Sequence, residues 1–220
     1  MKEILRCVRA SELPRAKGAR AALIRSSLAR LYPDAACALD YRGDPFRLLV
    51  MARLSAQCTD KRVNEISPAL FAAFPDAAAL AAADQKELEQ YIFSTGMYHE
   101  KARQLIAMAQ KLLSDFAGEI PKTQKELLTL PGVGTKIANL MLGDVFGSPA
   151  IVADTHMIRL ACRFSFSDSR DQHKVERDLE KLIPRAERSD FCHRAVLFGR
   201  EFCRAQNPDC AHCPLFSEEA

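Results

Sequence analysis

Residues 123–146 read TQKELLTLPGVGTKIANLMLGDVF, and the way this stretch divides decides the fold. Thr123, followed three residues later by Glu126, is a capping box, with the apolar pair Leu127 and Leu128 behind it. The spacing predicts a helix from Thr123 to Leu130, where Pro131 stops it. Helical spacing resumes at Thr135 and continues to Phe146. Between the two lies Leu130-Pro-Gly-Val-Gly134, so residues 123–146 form a helix-hairpin-helix. Gly132 and Gly134 lack a Cβ, so both are free to take positive φ and to bring backbone N–H groups close to an anion at the next helix's N-terminus. A bare turn of this kind also suits an αα-corner that only packs, so the hairpin alone decides no function.

Helical periodicity recurs outward from the hairpin. Leu105, Met108, Leu112 and Phe116 share one face, with Gly118 as a stop and Pro121 beyond it. Strand patterns are almost absent, and breaks such as Gly43-Asp44-Pro45 and Phe74-Pro75-Asp76 punctuate short helices, so the chain reads as all-α. Residues 1–17 are polar and basic and read as a loosely ordered arm before a first helix at about 18–32. No repeat at solenoid periods and no linker between domains is evident. A length of 220 residues, with 48% hydrophobic and 27% charged, fits a globular chain and excludes collagen-like, low-complexity and disordered classes. The net charge of +3 is too small to identify a polyanionic partner, so the positions of the cations must carry that argument. The longest mostly apolar stretch, Ala69–Ala83, falls short of the roughly 20 residues a membrane helix needs, and the N-terminus lacks a secretory core. No membrane contact and a cytoplasmic location are therefore expected. Under that expectation the eight cysteines are reduced or metal-bound rather than paired; Cys203, Cys210 and Cys213 crowd the end of the chain.

Lys136 falls in the first turn of the helix after the hairpin, where the positive end of the helix dipole and packed surroundings would disfavour an ammonium. A neutral amine is a nucleophile, and an unperturbed lysine is neutral in only about one molecule in a few thousand at pH 7. Asp154, in Asp154-Thr155-His156, precedes the apolar-periodic Met157, Ile158, Leu160 and Ala161 and is an N-cap by type. A nucleic-acid phosphate suits the hairpin, and capping does not preclude catalysis.

With LSAQCTD (54–60), STGMYHEKA (94–102), LPGVGTKIAN (130–139), VADTH (152–156) and FGREFC (198–203) in this order, the sequence resembles the endonuclease III branch of the helix-hairpin-helix DNA glycosylases over about residues 20–213. The resemblance implies two helical subdomains with the active site in the cleft between them. One is a six-helix barrel, here 38–148 with the helix-hairpin-helix 123–146; the other combines 18–37 with 149–220. It implies a bifunctional DNA glycosylase and AP lyase acting in base-excision repair on damaged double-stranded DNA, as a monomer. Lys136 would attack C1′ of an oxidised pyrimidine nucleotide, form a Schiff base and let the 3′ phosphate leave by β-elimination. Asp154 would help activate Lys136 or stabilise positive charge on the sugar. Gln57 would fill the gap left by the flipped nucleotide and Met97 would wedge into the stack, while Gly132, Val133 and Gly134 would meet the backbone. His156 would orient Asp154 or face DNA. Without the flanking motifs Gln57 reads as a helix-face polar residue, Met97 as core and His156 as structural; Cys58 reads as a small buried residue.

The resemblance also implies an iron–sulfur loop, C-x6-C-x2-C-x5-C, holding a [4Fe–4S] cluster. Cys203, Cys210 and Cys213 match, but the fourth position is Glu219, so a stable cluster is not expected. Ser217, Glu218 or Glu219 would offer only a poorly matched oxygen, Cys192 is a position such relatives leave unused, and zinc on three cysteines plus His212 would be cramped. The loop is weakly basic, so Lys136, Arg159, Arg163, Arg194 and Arg200 are the candidate phosphate contacts. Two other functions compete: an adenine-mismatch glycosylase of the same superfamily, and a non-catalytic DNA-binding module. The first would need a glutamate general acid where this chain has Arg53, a residue with no evident purpose in the sequence. The second leaves Lys136 and Asp154 unexplained.

Overall fold

A computed structural model describes residues 12–216; Cys7, Ser217, Glu218, Glu219 and most of the N-terminal arm lie outside them. Among the described residues there is no strand, and helices account for all regular structure. No described helix is long and apolar enough to cross a membrane. The chain divides into two compact units, residues 37–148 and residues 12–36 with 149–216, each with its own core.

The first unit holds α2 (Pro45–Leu54), α3 (Asp60–Ala73), α4 (Ala77–Ala81), α5 (Gln85–Ile92), α6 (Tyr98–Phe116), α7 (Gln124–Leu127) and α8 (Thr135–Asp144). Asp44 starts α2 by accepting the Phe46 and Arg47 N–H groups at 2.9 and 3.3 Å, with Pro45 preset for the first turn. Every residue of α2 from Leu48 to Leu54 is buried, Arg53 among them, and α3, α6 and α8 pack against it. Leu105, Met108 and Leu112 of α6 are fully buried, each burial worth about 1.5–3 kcal/mol. α6 ends at Phe116, where Ala117 and Gly118 both turn left-handed and the Gly118 N–H bonds the Leu112 carbonyl at 2.9 Å. Pro68 inside α3 leaves the Asn64 carbonyl without its usual donor, and Ser67 Oγ takes it at 3.1 Å.

The second unit holds α1 (Lys17–Leu31), α9 (Thr155–Arg163), α10 (Gln172–Glu180) and α11 (Arg188–Glu201). α11 packs on α1 and α9, and α10 packs on α9. Ile24, Leu28, Leu160, Phe166 and Phe198 fill the core, and Leu215 near the C-terminus is buried with them.

Candidate active site

The hairpin forms as its capping box dictates. Thr123 Oγ1 accepts the Glu126 N–H at 3.2 Å and donates to Glu126 Oε2 at 2.7 Å. α7 stops at Leu127 rather than Leu130, because the chain closes into tighter turns: Thr129 Oγ1 takes the Glu126 carbonyl at 2.7 Å and the Leu130 N–H takes that of Leu127 at 3.1 Å. α8 likewise ends at Asp144, short of Phe146. Gln124 Nε2 donates to Asn139 Oδ1 at 2.7 Å and ties the two helices together. Gly132 adopts φ +76°, but Gly134 does not use its freedom; it is the extended N-cap of α8 at φ −101°. The Val133 side chain is buried and its N–H bonds the Leu130 carbonyl at 3.1 Å, so Val133 presents no side chain to a ligand. α8 has no side-chain cap, and its first N–H groups are open to an anion. Lys136 sits in this first turn, but exposed; the packed surroundings expected around it are not there.

Arg53 acquires a purpose. It is 8% exposed on α2, and its Nε donates to Gln104 Oε1 at 2.7 Å while Gln104 Nε2 bonds Glu100. A Cβ on Gly132 would lie 2.5 Å from Gln104 Oε1 and 2.6 Å from Arg53 Nε. Arg53 and Gln104 therefore form the bed of the hairpin, and burial lowers the Arg53 pKa against an opposing pull from Glu100. Sequence reasoning marked Arg53 only as an unexplained charge, and missed Gln104.

Gln57 and Met97 are both exposed, and both are left-handed, at φ 54° and 47°. Gln57 follows α2 in a short turn, and Met97 stands at the N-cap of α6 after a 3-10 turn, Phe93–Thr95. Phe93, four residues before Met97, is 63% exposed and its ring lies 4.8 Å from that of Tyr98. Cys58 is half-buried rather than buried. The motif residue Lys101, which sequence reasoning did not single out, is wholly buried and donates to the Leu54 and Thr95 carbonyls at 2.8 Å each.

On α9, Asp154 caps as its type predicts: Oδ1 accepts the Met157 N–H at 2.8 Å. His156 Nδ1 lies 3.0 Å from Arg159 Nη2, and because arginine only donates, Nδ1 accepts. Burial lowers the His156 pKa, Arg159 and Arg200 add to this, and Asp154 opposes it. Three of the candidate phosphate contacts are committed within their own unit. Arg159 donates to the Cys203 and Gly199 carbonyls at 3.0 and 2.8 Å. Arg163, 6% exposed, donates to the carbonyls of Cys203, Arg204 and Ala205 at 3.0, 2.7 and 3.2 Å. Arg194 Nε donates to the Tyr32 carbonyl at 3.2 Å. Unsatisfied helix-end and loop carbonyls attract guanidinium groups, which is why these side chains turn inward.

The same network reaches the cysteines, since Cys203 Sγ lies 3.1 Å from Arg163 Nη1. Among the described residues no group of three or more His, Cys, Asp or Glu side chains is placed to share a metal. His212 is engaged by Asp209, with Nδ1 3.0 Å from its Oδ1. Cys203, Cys210 and Cys213 supply three of the four thiolates that the resemblance implies, the fourth position, Glu219, lies outside the described residues, and no chemistry is routed through a cluster.

Residues 50–185 match the model of the HhH-GPD superfamily base excision DNA repair proteins. The chain is 45% identical over 200 residues to an endonuclease III from Synechocystis sp., covering 90% of this chain and 91% of that protein. It is 37% identical over 171 residues to an endonuclease III from Escherichia coli, covering 78% and 81%. It is similar to a structure of a non-covalent endonuclease III–DNA complex, with TM-score 0.87, 40% identity and 92% and 94% of the chains covered. It is also similar to a trapped endonuclease III–DNA covalent intermediate, with TM-score 0.83, 42% identity and 87% and 90% covered. The helix-hairpin-helix and these likenesses agree, and the chain belongs to the endonuclease III family of the HhH-GPD superfamily.

Proposed function

We propose that this chain, a base-excision DNA glycosylase with AP lyase activity, excises oxidised pyrimidines from double-stranded DNA with Lys136 as nucleophile, working as a monomer. The observation that carries this reading is the position of Lys136 in the exposed first turn of α8, directly after the hairpin and beside uncapped backbone N–H groups. A DNA phosphate held by those N–H groups would place the adjoining sugar near Lys136. The Nζ lone pair attacks C1′, the glycosidic bond breaks and the base departs with the bonding pair. The sugar ring opens to a protonated Schiff base as O4′ takes a proton from water, C2′ gives a proton up to water, and the 3′ phosphate leaves with the bonding pair as the C3′–O bond breaks. Asp154, whose Oδ1 is fixed by the Met157 N–H, offers Oδ2 to the positive charge that develops on the sugar. Gln57 and Met97 enter the duplex as the nucleotide flips, which costs a few kcal/mol and least at damaged pairs. His156 supports this end of α9 through Arg159 and faces DNA.

The adenine-mismatch reading has no support in Arg53, which lies in the bed of the hairpin and carries no carboxylic acid. Lys136→Ala is expected to abolish both strand nicking at abasic sites and borohydride-trapped adducts, with duplex binding retained. An undiminished adduct would move the nucleophile to another residue. Protein purified in air is expected to hold well under four irons per chain; a full complement would bring in a ligand from outside the described residues.

A further inference from the structure

Lys101 is wholly buried, yet among the described residues no carboxylate accepts from it; its ammonium donates to two main-chain carbonyls on different segments, Leu54 and Thr95, each at 2.8 Å. Leu54 is the last residue of α2, and the carbonyls before it find partners locally. Met51 and Arg53 accept the N–H groups of Ser55 and Ala56, at 2.9 and 3.4 Å, and Ala52 accepts Ser55 Oγ at 2.9 Å. The Leu54 carbonyl is satisfied from across the unit. On the other side, the Ile92 and Phe93 carbonyls accept Thr95 Oγ1 at 2.8 Å and the Gly96 N–H at 3.3 Å, and the Thr95 carbonyl again falls to Lys101. Each bridged carbonyl lies two or three residues before a left-handed, exposed residue: Gln57 at φ 54° and Met97 at φ 47°. Non-glycine residues hold this conformation only where their surroundings over-determine it.

We propose that Lys101 is a positioning residue that locks the turn carrying Gln57 and the turn carrying Met97 into one frame, so that both side chains enter the duplex in register when the lesion is flipped. This rests on the reading of Gln57 and Met97 as DNA-inserting residues. Lys101 touches neither the nucleotide nor Lys136; it sets the separation of two groups that must fill one gap. A displacement of about 1 Å in such a pair costs on the order of 100-fold in rate.

The test uses the full chain with Lys101→Met and Lys101→Gln. Single-turnover excision of thymine glycol from a duplex is expected to fall about 10- to 100-fold. Cleavage of a preformed abasic site in single-stranded DNA, which needs no insertion, should stay within about two-fold of wild type. The fluorescence rise of 2-aminopurine placed opposite the lesion, which reports the orphaned base leaving the stack, should be lost. In a Gln57→Ala/Met97→Ala background, Lys101→Met should add no further loss. Equal losses on duplex and single strand, a full additional loss in that background, wild-type excision, or failure of both Lys101 variants to fold would each overturn the positioning role. Wild-type excision by Gln57→Ala and Met97→Ala singly would instead overturn the insertion reading beneath it, and the two failures are distinguishable.

Discussion

Asp154 is asked to do two things, and they separate by substitution. As N-cap it accepts the Met157 N–H at 2.8 Å, a task asparagine performs as well; in the proposed mechanism it would, as a carboxylate, face developing positive charge, which asparagine cannot do. Asp154→Asn is expected to melt within about 1 kcal/mol of wild type while turnover falls about 100-fold or more, and Asp154→Ala to lose about 0.5–2 kcal/mol in addition. Parallel losses of melting temperature and activity in Asp154→Asn would assign the residue to capping alone. His156 makes a pH-dependent claim. Burial, helped by Arg159 and Arg200 and opposed by Asp154, holds its folded pKa below the ordinary value near 6.5. Below that value the unfolded chain takes up a proton that the folded chain refuses, so stability falls as pH drops through about 6.5 and is recovered above it. His156→Asn should lose less melting temperature between about pH 7.5 and 5.5 than wild type does, and equal losses would contradict the assignment.

The hairpin shows how an element depends on residues far away in sequence. Gly132→Ala would force a side chain into positive φ and bring its Cβ within 2.6 Å of Arg53 Nε, so a loss of about 1–3 kcal/mol is expected, or several degrees of melting temperature, with weaker duplex binding. Gly134→Ala, with nothing within 4 Å and an extended backbone, should keep stability, so its effect on binding isolates the close approach of phosphate. An unchanged melting temperature in Gly132→Ala would contradict the role assigned to Arg53 and Gln104. Helix starts were legible in the sequence because caps are local: Thr123 and Asp154 announce themselves by type and spacing. The end of α7 was not, because Thr129 and Leu130 close it with turn bonds that compete with continued helix. The bed of the hairpin joins residues from three stretches, Arg53, Gln104 and Gly132, and no local pattern links them. The surroundings of the arginines were not legible for a related reason. Charge type is visible in sequence, but whether Arg159 and Arg163 meet phosphate or a chain's own carbonyls depends on where the 199–205 turn folds.

At the scale of the molecule, the residues of the proposed mechanism come from two separately packed units. Lys136, Gln57, Met97 and the hairpin belong to residues 37–148, whereas Asp154 and His156 belong to the unit built from both ends of the chain. Packing in each unit fixes its own share: α2 and α6 set the turns that carry Gln57 and Met97, and α9 sets the Asp154 carboxylate. With Arg159, Arg163 and Arg194 spent on holding loops, the net charge of +3 overstates what is available for phosphate, and the uncapped start of α8 gains importance accordingly. The central claim is that one amine, that of Lys136, carries both base removal and strand cleavage. Its most direct test is to reduce the wild-type reaction on a thymine-glycol duplex with borohydride, digest the cross-linked protein and locate the sugar by mass spectrometry. The account predicts a single adduct on the peptide containing Lys136; a sugar on any other residue, or base release with no reducible adduct, would contradict it.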